Sequence, residues 1–145
     1  LGATVDVFTR SPLHQRLALQ LGARWAGPAE AEPPSPAQRA ITFAPAGRLI
    51  PLALAHLRPG GVLAINAVHL DGIPAFDYGL LYGERVLRSV ANVTRADVRR
   101  WLELAARLPL EVHAEERPLA AARVALEELA GGRLGEAAVV LRVAA

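Results

Sequence analysis

Short apolar runs and helix-periodic stretches alternate along the whole chain, and that alternation restricts the fold more than any single residue does. Thr4-Val5-Asp6-Val7-Phe8 alternates like a half-buried strand and ends at Thr9-Arg10-Ser11-Pro12, where Ser11 suits a helix cap and Pro12 a first helical position. Leu13, Leu17 and Leu21 recur at helical spacing, Gly22 follows as the residue beyond the helix, and Ala23 to Ala26 reads as a short strand. Gly27 to Ala37 carries four prolines among small and acidic residues and is an exposed connection. Arg39 to Phe43 is a strand and Leu49 to Leu57 a helix, with Pro51 confined to its first turn. Pro59-Gly60-Gly61 turns into the strand Val62 to Ile65. A loop from His69 to Tyr82, with a helical turn at Tyr78 to Tyr82, leads to a strand at Val86 to Val90. Thr94 caps a helix striped by Val98, Trp101, Leu102 and Ala105, with Asp97 at its N-terminus and Pro109 as its stop. Glu111 to Glu115 is a strand, Leu119 to Leu129 a helix closed by Gly131-Gly132, and Ala137 to Val143 the last strand. Such an order predicts an α/β fold: an open, mostly parallel sheet with helices on both faces.

Composition narrows the functional classes. At 145 residues the chain is read as one domain able to bury a core. Its high isoelectric point, 9.9, reflects the fact that all 16 basic residues are Arg, since the formal net charge is only +2. The Arg side chains are interleaved with acids and aromatics are few, so no nucleic-acid footprint is expected. No apolar stretch approaches the roughly 18 residues of a membrane span, and a cytoplasmic protein is expected. Cys is absent, which removes disulfides and thiolate metal ligands alike. Met is absent too, so Leu1 is not expected to be a translation start; the Ala, Arg, Gly and Pro bias suggests a bacterial source.

Four segments, taken in order, carry a resemblance. They are Leu21-Gly22-Ala23; Leu57-Arg58-Pro59-Gly60-Gly61-Val62-Leu63; Gly83-Glu84-Arg85-Val86-Leu87-Arg88-Ser89; and the tail from Pro118-Leu119 through Leu129-Ala130-Gly131-Gly132-Arg133-Leu134-Gly135 into Ala138-Val139-Val140-Leu141. Together they resemble the coenzyme-binding domain of zinc-type alcohol dehydrogenases in the medium-chain dehydrogenase/reductase superfamily, and the likeness covers essentially the whole chain. The resemblance implies a Rossmann-like, doubly wound, mostly parallel sheet, here lacking its first strand and the glycine-rich turn that cradles pyrophosphate. It also implies that zinc belongs to a catalytic domain absent from this sequence, and that the chain alone is inactive.

The resemblance further assigns the coenzyme-binding residues. Relatives that prefer NAD place an acid at the end of the second family strand, whereas Thr9, Arg10 and Ser11 stand there in this chain. Arg10 can meet a 2′-phosphate, with Ser11 or Thr9 adding a hydrogen bond, so NADP is expected over NAD; a solvated Arg beside a capping Ser is the plainer alternative. Ala44 and Pro45, like Ala67, Val68 and His69, follow parallel strands and belong at the ligand-facing rim, and the resemblance sets Ala67, Val68, Ala91 and Asn92 around the nicotinamide. For His69 an exposed loop imidazole without chemical duty is the favoured reading. His14, His56 and His113 have no metal-ligand spacing, while Asp71 with Asp77 and Glu115 with Glu116 are conceivable but bland carboxylate pairs. Trp25 and Trp101 read as core or interface anchors. Where many relatives have Gly-Arg before the last strand, Gly135 is followed by Glu136, a repulsive neighbour for pyrophosphate.

In the family's strand order, 3-2-1-4-5-6, the missing strand would lie between Val5 to Phe8 and Arg39 to Phe43. Three closures of that gap are expected: residues upstream of Leu1, a strand from another chain, or direct pairing of the flanking strands. Association into a homo-oligomer through a sheet edge is the accompanying expectation. The alternative to a coenzyme-binding role is a non-catalytic remnant of the fold acting as an oligomerisation or interaction module.

Overall fold

The computed structural model describes residues 2–110, 112, 114–134 and 138–143, which fall into two compact units, Leu1–Asn92 and Val93–Ala145. Among the described residues every strand pairing is parallel, as the alternation of elements requires.

In the first unit β1 (Asp6–Phe8) runs into α1 (Pro12–Gln20) and returns as β2 (Trp25–Gly27), pairing Asp6 with Trp25 and Phe8 with Gly27. Ser11 caps α1 by accepting from the His14 amide, and Pro12 occupies the first turn. The helix ends on Gly22 at φ +95°, with Gly22 N–H donating to the Leu19 carbonyl and Ala23 N–H to that of Ala18. This is the paired closure that a left-handed residue permits.

A second ladder holds β3 (Ala37–Thr42), β4 (Leu57–Ile65) and β5 (Val86–Ser89), with α2 (Leu49–Ala55) crossing between β3 and β4. The strand expected at Val62 starts earlier. Ala37 pairs with Leu57 before the register shifts, and the ladder resumes at Arg39 opposite Val62. Pro59-Gly60-Gly61 is thus an irregularity within β4, with Gly60 left-handed at φ +70°. The core lies between α2 and β4: Ile50, Leu54, Leu57 and Leu63 are fully or almost fully enclosed, Ile65 nearly so, with Ala40, Phe76, Leu80 and Leu87 packed around them. Each such Leu or Ile contributes about 1.5–3 kcal/mol of burial.

No ladder joins β1 to β3 among the described residues. Direct pairing of the two flanking strands, one of the three expected closures, therefore does not occur there. The Phe8 ring instead stacks on His56 at 5.1 Å and meets Trp25 edge-on at the same centroid distance.

The second unit contains α3 (Arg95–Ala105), β6 (Ala114–Pro118), α4 (Ala122–Ala130) and β7 (Ala138–Arg142), with β6 and β7 forming their own ladder. Thr94 and Asp97 form the expected capping box on α3. The apolar stripe of that helix stays exposed, with Trp101 at 55%, so Trp101 is not a core anchor within its unit. The strand expected at Glu111 to Glu115 lies further on, at Ala114–Pro118; Glu111 and His113 are outside the described residues, as is Ala137 at the start of the last expected strand. Arg117 forks onto Glu115 within β6 (2.9 and 3.0 Å), and its bond to Glu128 (2.7 Å) joins β6 to α4.

Candidate functional site

The in-register ends of β3, β4 and β5 create one rim. Thr42 pairs with Ile65 and Ile65 with Ser89, and the ladder closes with Asn66 N–H on the Thr42 carbonyl (2.8 Å) and Val90 N–H on that of Ile65 (2.9 Å). The chain leaves the three strands at a common level. Ala44 and Pro45, then Ala67, Val68 and His69, then Ala91 and Asn92 accordingly emerge on the same carboxyl edge. All of them are exposed except half-buried Ala67, and Val68 is 95% exposed. Asn92 sits at φ +64°, a left-handed conformation that Asn tolerates better than most residues.

Thr9, Arg10 and Ser11 leave the carboxyl end of β1 in the other ladder of the same unit, where Thr9 N–H donates to the Gly27 carbonyl at 2.8 Å. The Thr9 carbonyl accepts from Gln15 Nε2 at 2.7 Å, and Ser11 Oγ is engaged in the helix cap. Arg10 forms no ion pair among the described residues.

Two charged residues that the sequence reading did not single out lie at the same ends. Glu30, in the connection after β2, accepts from Arg48 Nη1 at 3.0 Å, and Arg48 directly precedes α2. A bond with its own backbone amide, the Arg48 hydrogen bond and the fields of Arg48 and Arg10 hold the Glu30 carboxyl below the usual carboxylate range. Nothing in the sequence links these positions, because the Pro-rich connection has no periodicity to place Glu30.

The remaining polar groups have structural duties. Asp71 accepts from the Gly47 amide just before α2, and Asp77 accepts from the Gly79 amide of its own turn at 2.6 Å, so each carboxylate of that pair is engaged by a backbone amide. Glu115 and Glu116 are divided between Arg117 and Arg142. His69 is exposed, whereas His56 is stacked on Phe8 with a buried Nε2 that lacks a partner. Thr42 Oγ1, at the carboxyl end of β3, is likewise buried and unpartnered. Trp25 packs on Phe8 as an anchor should. Gly135 and Glu136 are outside the described residues. Among the described residues no three His, Asp or Glu side chains gather as metal ligands, so the residues present do not form a zinc site. A shallow apolar hollow lined by Val5, Val7, His14, Leu17, Leu21 and Ala23 runs beside α1.

No family model matches the chain. A probable alcohol dehydrogenase, AdhA, of Mycobacterium tuberculosis is 46% identical over 97% of this chain, which spans 41% of that protein's length. Among solved structures, a cinnamyl alcohol dehydrogenase from Sorghum bicolor superposes with a TM-score of 0.81 at 22% identity, covering 97% of this chain and 41% of that one. The YhdH protein of E. coli K-12, determined with bound NADPH, gives 0.78 at 19% identity over 99% of this chain and 48% of its own. A thermostable alcohol dehydrogenase from Pyrobaculum aerophilum gives 0.76 at 22% identity, over 99% and 44% respectively. These likenesses establish the Rossmann-type fold, and the sequence identity supplies the lineage. Over the two-fifths of that relative's length that it spans, this chain is a homologue of an alcohol dehydrogenase.

Proposed function

We propose that this chain is the nicotinamide-coenzyme-binding portion of an alcohol dehydrogenase-like oxidoreductase and that it favours NADP over NAD. The carrying observation is the common carboxyl rim of β3, β4 and β5, because ligands of parallel α/β sheets enter outside the strand ends. Ala67, Val68, Ala91 and Asn92 would line the nicotinamide side, and Arg10, with Thr9 and Ser11, the adenosine ribose. When bound, the nicotinamide supplies the hydride acceptor or donor. The protein's part is to orient that ring and to match the charge of the ribose end. The NADPH held by the E. coli neighbour supports a nicotinamide carrier. Titration with NADPH and NADH, followed by nicotinamide fluorescence and thermal shift, tests the reading: saturable binding with NADPH the tighter is expected, and no response to either up to millimolar concentration would overturn it.

A second reading, an oligomerisation module, is favoured by one observation: β1 and β3 each have a single ladder partner among the described residues. An unpaired strand edge is a template for another chain.

A further inference from the structure

We infer that Glu30 is a specificity-determining counter-charge that holds Arg48 and opposes recognition of a ribose 2′-phosphate by Arg10. The inference rests on the coenzyme reading above and deepens it. Three charged side chains follow the carboxyl ends of consecutive strands: Arg10 after β1, Glu30 after β2 and Arg48 after β3. Glu30 grips Arg48 at 3.0 Å, and both side chains are more than half exposed. A solvated pair of this kind adds little to stability, so its removal leaves the fold intact. Its effect on an incoming anion is of another sort. With Glu30 present the cluster carries a net single positive charge, and a dianionic 2′-phosphate must approach Arg10 within the field of a carboxylate. Phe8 pairs with Gly27 and Thr9 N–H donates to the Gly27 carbonyl at 2.8 Å, so the segments bearing Arg10 and Glu30 leave the ends of two paired strands side by side. Arg48 holds one oxygen of the Glu30 carboxylate, Oε1.

Two predictions of opposite sign follow from this arrangement. Removing the carboxylate by Glu30→Gln favours a 2′-phosphate, whereas removing its tether by Arg48→Gln releases Glu30 toward Arg10 and disfavours one. The test is calorimetry on the full 145-residue chain with 2′,5′-ADP and 5′-AMP at low salt, reading the ratio of the two affinities. Glu30→Gln is expected to raise that ratio about threefold, as a screened charge a few ångströms away would. Arg48→Gln is expected to lower it, and the gain from Glu30→Gln is expected to vanish in an Arg10→Gln background and at high salt. A ratio unmoved by Glu30→Gln, or equal gains for both nucleotides, would overturn the inference while leaving the coenzyme reading intact. Failure of every variant to bind either nucleotide would overturn both.

Discussion

Gly47 shows how closely the backbone is fitted behind the rim. A Cβ placed there would collide with the Gly72 carbonyl, and the Gly47 amide donates to Asp71, so the loop after β4 is held against the first turn of α2 by one small residue. Gly47→Ala is expected to cost about 1–3 kcal/mol, as overpacking does, and to free residues 67–72. A lower thermal midpoint together with faster amide exchange in that loop would bear this out; an unchanged exchange pattern would not. The backbone partner of Asp71 was invisible in the sequence because the two residues meet only through a crossover. Thr42 and His56 were opaque for a similar reason: whether a hydroxyl or an imidazole is enclosed depends on neighbours distant in the chain.

Among the elements, α3 has the clearest local signal. Thr94 and Asp97 exchange hydrogen bonds across its first turn, and those bonds from Thr94 hold the Asp97 carboxyl below its ordinary range. A depressed carboxylate stabilises the fold at pH values above its unfolded titration. That contribution is lost as the pH falls through the lower, folded one. Asp97→Asn should therefore flatten the acid limb of helicity measured by circular dichroism, and Thr94→Ala should cost about 1 kcal/mol near neutrality. An acid limb identical in the wild type and Asp97→Asn would show the box to be inconsequential. Caps such as Ser11, Thr94 and the Gly22 closure are legible in sequence because every partner lies within a few residues. Strand ends are not. The early start of β4 depends on Leu57 finding Ala37, and the displacement of β6 places Pro118, which no strand pattern favours, opposite Arg142.

For the molecule as a whole, parallel pairing and the sharing of one rim by three strand ends were legible, since alternating elements admit few other arrangements. Which charges meet there was not, because Glu30 and Arg48 are joined only by the fold. The separation of β1 from β3 and the exposed stripe of α3 bear on assembly. If an edge strand of one copy pairs with another, sedimentation analysis should find a dimer whose population rises with concentration; a monomer throughout the micromolar range would exclude that use of the edge. The parallel ladders also carry a kinetic consequence. Asp6 must find Trp25, Val62 must find Val86 and Ala114 must find Ala138, so each ladder closes a loop of roughly twenty residues before its first interstrand bond can form. With no hairpin among the described residues to act as a seed, assembly is paced by chain diffusion, and the nascent polypeptide leaves sticky strand margins unguarded until the return segment has been synthesised.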